Sequence, residues 1–172
     1  MTRGVEPGAL SRELRAVHDM LRQDLAAVRS LALAVADGVT AAAVLAELRR
    51  LTGRGGLWEL KMHCLRYCQL VGMHHRNEDT SLFPAARASA PHIGPALDLL
   101  EADHRAVAAL LRDVEDRAEQ LSDDDEDLSP RAELAASLQG LAVDLFDHLD
   151  REEVVLEPVL ATWTTWPGLR GR

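Results

Sequence analysis

Apolar residues recur along this chain at steps of three and four, and the stripes they draw predict four long helices. The first runs from about Ala9 to Ala36 and carries Leu14, His18, Leu21, Leu25, Val28, Ala32 and Val35 on one face, until Asp37-Gly38 ends it. Thr40 then caps a short segment, AAAVLAELRRL, which reads as an accessory helix and stops at the glycine-rich TGRGG of residues 52–56. A second long helix begins near Leu57. Its stripe is Leu60, Cys64, Tyr67, Val71, His74 and Glu78, continuing toward Leu82 and Phe83 before Pro84 disturbs it. Pro91 and Pro95 bracket the connection to the third helix, whose stripe is Leu97, Leu100, His104, Val107, Leu111, Val114 and Ala118. This helix dissolves into SDDDED at residues 122–127, a charge run that reads as a solvated loop; it lacks the glycine and closing glutamate of a calcium loop. Ser129-Pro130 opens the fourth helix in the favoured cap-then-proline order, with Leu134, Leu138, Leu141, Leu145, His148, Glu152 and Val155 on its stripe. Pro158 marks its end or a kink. The tail from Thr162 to Arg172 is expected to be irregular, its Trp163 and Trp166 either folding back on the helices or meeting a partner.

Four such helices joined by mostly short connections predict an all-α fold, an up-down-up-down four-helix bundle with a short accessory helix between the first two bundle helices. A chain of 172 residues, 47% hydrophobic, is long enough to bury one core, so a single domain is expected, with the bundle over about 9–160 and a tail over 161–172. Aromatic residues make up only 3%, and no stretch alternates apolar with polar for long, which disfavours a sheet. The formal net charge of −9, with no isolated basic face, argues against a nucleic-acid partner. No apolar run approaches the roughly 20 residues of a membrane span, and the opening MTRGVEPGALSREL has no apolar signal core, so a cytoplasmic location without membrane contact is expected. Cys64 and Cys68, four apart in a helical stretch, match neither a disulfide framework nor a zinc ribbon and read as reduced, with packing the first expectation and a redox role the alternative.

The stripes carry polar intruders. His18 and His104 lie early in the first and third helices, whereas His74/Glu78 and His148/Glu152 lie late in the second and fourth. Antiparallel neighbours bring these positions to the same level, because each histidine is about 17 to 19 residues from the far end of its helix, or roughly 25–29 Å at 1.5 Å per residue. Both pairs use the HxxxE step, which puts two side chains on one face a turn apart. A single histidine on an apolar stripe is most often a hydrogen-bonded core residue. Four histidines and two glutamates in one layer are different, because they would leave several polar groups desolvated without partners. Metal cations offset that cost. The set exceeds what one tetrahedral zinc needs, and its carboxylates can bridge or chelate, so two ions suit it better than one.

The remaining histidines fall off the pattern. His75 is one step off the stripe and is expected at the solvent or the helix boundary; His63 is likewise off it, and His92 sits in the proline-rich connection. None of the three is assigned to the site. Tyr67, on the stripe two turns before His74, is expected to pack in the core with a hydrogen bond; it is the best candidate for a residue that tunes the centre, or exchanges electrons with it, without ligating it.

The combination of His18, the run H74-HRN-E78-DTSLFP, Asp103-His104 and H148-LDR-E152-E153 resembles the hemerythrin HHE cation-binding domain over about residues 10–160. The order H-HxxxE-H-HxxxE is similar to that of the hemerythrin-like proteins of actinobacteria. The resemblance implies a left-handed four-helix bundle around a non-haem centre of two iron ions joined by an oxo or hydroxo bridge. In it His18, His74, His104 and His148 are terminal ligands, and Glu78 and Glu152 span the irons. The chain departs from the oxygen carriers that it resembles. They place a fifth histidine four residues after the one on the third helix, where this chain has Ala108, and an aspartate at +5 where it has Glu152 at +4. One iron is thereby short of an imidazole, with water, a further carboxylate or a tyrosine to fill the gap. The resemblance, with these departures, implies oxygen binding, sensing or reaction with O2, nitric oxide or hydrogen peroxide, rather than simple reversible oxygen carriage. Peroxide or nitric oxide turnover would make the protein an enzyme; a sensor would need a protein partner. An alternative from another class is an iron-handling or metal-stabilised helical interaction protein without catalysis.

Overall fold

A computed structural model describes residues 8–36, 56–121 and 128–167. The expected accessory helix after Thr40, the acidic run at 122–127 and the last residues of the tail lie outside the described residues. Four long helices form as the stripes predict: α1 over Ala9–Ala36, α2 over Gly56–Asn77, α4 over Gly94–Gln120 and α5 over Ser129–Leu160. A shorter α3, Phe83–Ser89, follows α2. The long helices pack as a closed ring, α1 against α2 and α5, and α4 against α2 and α5. This is the four-helix bundle, with consecutive long helices antiparallel.

The buried face of α1 runs Leu10, Leu14, His18, Leu21, Leu25, Val28, Ala32, Val35, and that of α4 runs Leu97, Leu100, His104, Val107, Leu111, Val114, Ala118, each the stripe read from spacing. Burial supplies most of the stability of such helices, because an apolar stripe has nowhere else to go in water. The start of α5 differs by one residue from expectation: Leu128 is the cap, its carbonyl accepting from Arg131 and Ala132, while Ser129 and Pro130 already lie in the first turn. At the other end Pro158 is inside the helix, which closes two residues later at Leu160.

Pro84 does not break the second helix outright. Between Asn77 and Phe83 the chain keeps helical dihedrals but widens into a π turn, Glu78–Leu82, closed by the Phe83 N–H donating to the Glu78 carbonyl. Pro84 then falls in the first turn of α3, where its missing N–H costs nothing. The extra residue in the turn lets Glu78, Leu82 and Phe83 all face inward. After α3 a 3-10 turn, Pro91–Ile93, leads into α4, with Pro95 in its first turn.

The apolar interior is divided in two. One cluster gathers Leu21, Leu25, Val71, Val107, Leu145 and their neighbours toward the far end; the other gathers Leu10, Leu14, Leu82, Phe83, Leu100 and Leu156. On every helix the gap between the clusters is filled by the polar residues, His18 on α1, His74 to Glu78 on α2 and its π turn, His104 on α4, His148 and Glu152 on α5. The tail takes the first of its two expected courses. Trp163 and Trp166 fold back onto the second cluster, and the Trp166 indole N–H donates to the Glu13 carboxylate at 2.5 Å. Among the described residues no helix is long and apolar enough to cross a membrane.

Candidate metal centre

All six residues singled out by spacing meet in the layer between the clusters. His18, His148 and Glu152 are completely buried, Glu78 and His104 are 3% exposed, and the His74 side chain is 12% exposed. Their donor atoms converge. Glu152 Oε2 lies 3.5 Å from both His18 Nε2 and His148 Nε2, while Glu78 reaches His74 Nε2 with Oε1 at 3.0 Å and His104 Nε2 with Oε2 at 3.5 Å. Each carboxylate therefore spans two histidines from different helices or turns. Among the described residues, ligating atoms fall into two groups, each within 4.8 Å: His18, His74, Glu78 and Glu152 in one, and His75, His104 and His148 in the other.

His75 is the correction. Spacing places it near solvent, and it is instead 5% exposed, stacked on His104 with ring centroids 4.0 Å apart and planes 10° apart. The reason is that α2 packs on both α1 and α4, so it has two inward flanks. His74 serves one, edge-on to His18 at 5.2 Å, and His75, about 100° further round, serves the other. A signal is present in the sequence: Cys64, Cys68, Val71, His75, Glu78 and Leu82 also step by four and three, and all six are buried. His63 and His92 are exposed, in line with their exclusion.

A second set of residues belongs to the same motifs and carries no role that spacing reveals. Glu153 Oε1 sits 2.9 Å from His18 Nδ1, Asp79 Oδ1 is 2.7 Å from His104 Nδ1, and Asp103 Oδ2 is 3.5 Å from His148 Nδ1. Every one of these acids is a chain neighbour of a metal-ligand candidate. A residue one step along a helix is rotated toward the adjacent helix, so each catches the outer nitrogen of a histidine on that helix. Arg22 holds Glu153 in place at 3.0 Å. In His18 and His104, with Nδ1–H donating outward to a carboxylate, the Nε2 lone pair is fixed inward, the arrangement that makes imidazole a good metal ligand; Asp103 faces His148 Nδ1 without hydrogen-bonding it.

Electrostatically the layer is arranged for cations. Burial, then repulsion from His74 and other positive neighbours, pushes His18 down to about 2; burial, then His104, takes His148 to about 3. Burial also lowers His74, His75 and His104, so all five imidazoles are neutral. Desolvation raises Glu78 to about 8 and holds Glu152 well above the ordinary carboxylate range. His104 Nε2 and His148 Nε2 lie 3.1 Å apart, within hydrogen-bond reach, so in the metal-free chain a hydrogen on one of them links the two rings. Eight other atoms have no such partner: His18, His74 and His75 Nε2, His148 Nδ1 and all four oxygens of Glu78 and Glu152 are buried without a hydrogen bond. Native interiors rarely tolerate that many orphaned groups. The donor set, imidazole and carboxylate, fits first-row divalent metals such as iron, manganese and zinc.

Tyr67 is buried, and its hydroxyl donates to the Leu21 carbonyl at 3.1 Å, one turn beyond His18. Burial, above other causes, keeps the phenol protonated. Tyr67→Phe is therefore expected to cost about 1 kcal/mol in stability and to leave metal content and the optical spectrum of the loaded protein unchanged. A changed spectrum would give the phenol a direct part at the centre. Cys64 and Cys68 are free and buried, both thiols pushed up to about 12 by burial, which suits packing and disfavours redox reactivity.

Comparison with known proteins agrees with this geometry. No curated protein and no solved structure matches the chain. Residues 9–160 match the family model described as the hemerythrin HHE cation binding domain, a span that begins with α1, ends with α5 and contains every ligand candidate. A bundle with a buried histidine and glutamate layer, matched by that model over most of its length, belongs to the hemerythrin HHE cation-binding domain family.

Proposed function

We propose that this chain is a non-haem di-iron protein whose centre binds, senses or reacts with a small ligand, O2, nitric oxide or hydrogen peroxide. One observation carries the reading: two groups of ligating atoms lie side by side, and Glu78 and Glu152 each reach histidines of both groups. That is a layout for two ions rather than one. An iron pair, when bound, supplies the one- and two-electron chemistry that imidazole and carboxylate side chains lack.

The protein's own part is to hold, orient and exclude. His18, His74, His104 and His148 present neutral nitrogens, two of them aimed by hydrogen bonds, His18 by Glu153 and His104 by Asp79. Leu21 and Val107 below the layer and Leu14, Leu100 and Leu156 above it keep bulk water out along the bundle axis. Ligand entry is then from the side. A cleft of about 190 Å³, lined by Gly72, His75, Arg76, His104, Arg105 and Ala108, lies between α2 and α4. Asp79 and Leu111 complete the lining, which mixes both signs of charge at its rim with apolar surface and so admits a small uncharged ligand.

The second reading, a metal that only stabilises the bundle, draws support from the orphaned polar groups dividing the core. Elemental analysis together with optical spectra separates the two. The loaded protein is expected to hold about two irons per chain and to change its spectrum under at least one of O2, nitric oxide and peroxide. A spectrum unmoved by all three would leave the stabilising role alone.

A further inference from the structure

Two ions need two sets of donors, and the halves of this layer are unequal. His18, His74, Glu78 and Glu152 gather four ligating atoms within 4.8 Å of one another. In the other half His104 and His148 have only Glu78 Oε2 and Glu152 Oε2, each 3.5 Å from one of their Nε2 atoms, and both carboxylates are shared with the first half. The third member of that half is His75. Its Nε2 is buried without a hydrogen-bond partner, and its ring stands edge-on to His148 at 5.1 Å as well as stacked on His104. Burying an imidazole nitrogen unpaired costs about 1–3 kcal/mol. Stacking alone does not explain the choice, because His104 already has Phe83 stacked at 5.2 Å, and an apolar ring would stack without that penalty.

The space around His75 supports the same conclusion. One turn after His104, α4 carries Ala108, whose methyl group leaves room between α2 and α4. His75 and Ala108 line the same cleft. An imidazole reaching over from α2 occupies the side of the layer that α4 leaves open.

The geometry points to His75 as a fifth imidazole donor, forming with His104 and His148 a three-histidine set for the ion nearer the cleft. This assignment rests on the dinuclear reading above. It makes the two ions inequivalent, three imidazoles on one side and two on the other, with the three-histidine ion the one nearer the cleft.

The test is titration of Co(II), followed by its d–d absorption, into metal-free wild type, His75→Phe and His75→Ala. Phenylalanine keeps the stack and removes the nitrogen; alanine opens a space that free imidazole can enter through the cleft. Wild type is expected to take up two equivalents. In both variants the first ion should bind as in wild type, and the second should weaken by at least 10–100-fold, the order of loss seen when support of a metal ligand is removed. Millimolar imidazole should restore the second ion to His75→Ala and not to His75→Phe. Two equivalents bound with wild-type affinity and spectrum by either variant would overturn the assignment while leaving the dinuclear centre standing. A wild type that takes up one ion sinks both. If neither variant folds, hyperfine-shifted imidazole resonances of the Co(II)-loaded wild type decide, five histidines supporting the assignment and four refuting it.

Discussion

Glu152→Gln is expected to reduce the metal content from about two ions per chain to fewer than one, the largest loss from any single isosteric change in the layer. The carboxylate is completely buried, and one of its oxygens lies 3.5 Å from histidines on two helices, His18 on α1 and His148 on its own α5. Glutamine keeps the volume and removes the charge. Removing one partner of a buried charge pair costs about 3–5 kcal/mol, on the order of 100- to 1000-fold in affinity. The same substitution has the opposite sign in the metal-free chain. There Glu152 is a carboxyl whose ionisation is suppressed by burial and by Glu78, and a neutral amide relieves that conflict. Glu152→Gln should therefore melt no lower than wild type in the presence of a chelator and well below it with metal present. Elemental analysis and paired melting curves check both halves. A variant that retains two ions would remove Glu152 from the bridging position.

How much of the bundle can be read from the residues alone depends on how many neighbours each helix has. The stripes of α1 and α4 are legible in full because every three-four step there leads to a buried side chain. On α2 the same rule gives two overlapping stripes, one through Tyr67 and His74 and one through Cys68 and His75, and choosing between them discards a residue that is buried. The helix uses both, since its flanks meet different partners. The outer acids Glu153, Asp79 and Asp103 are invisible for another reason. Their partners are on other helices, and chain spacing carries no information about the rotation of one helix against the next. The π turn at Glu78–Leu82 is signalled only as a disturbance at Pro84; that the chain widens rather than stops comes from packing of Leu82 and Phe83, which no local rule encodes. Ala108 is the instructive case. Only the resemblance to the oxygen carriers implies that an imidazole is missing there from α4, and only the assembled bundle shows His75 beside that position.

Metal removal is expected to make the bundle acid-labile over a range in which the loaded protein is stable. His18 and His148 are held near 2 and 3 in the folded chain, against 6.5 for a free imidazole. Their folded values are depressed, so below about pH 6.5 the unfolded chain binds protons that the folded chain refuses, and stability falls as pH falls. The slope is about 1.4 kcal/mol per pH unit for each such histidine. Between pH 6.5 and 4.5 these two alone remove roughly 5 kcal/mol, the lower bound of a typical domain's whole stability. Glu78 acts in the opposite sense. Its folded value is raised to about 8 from 4.5, so its contribution is intact below 4.5 and is lost as pH rises through 8. Glu152, also raised by burial, acts like Glu78, and below pH 6.5 these two carboxyls offset two of the histidines; His74, His75 and His104, all lowered by burial, tip the balance, so the metal-free chain is most stable near pH 6.5 and weakens on both sides. Bound cations favour ionised Glu78 and Glu152 and compete with protons for the five imidazoles, so loading should abolish the decline between pH 6.5 and 8 and shift the acid limb to lower pH. Melting temperatures of chelated and loaded protein at pH 4.5, 6.5 and 8 measure this. A metal-free chain whose melting temperature is the same at pH 4.5 and 6.5 would mean that the layer is not closed to protons, and the buried neutral histidines would have to be abandoned as the basis of the site.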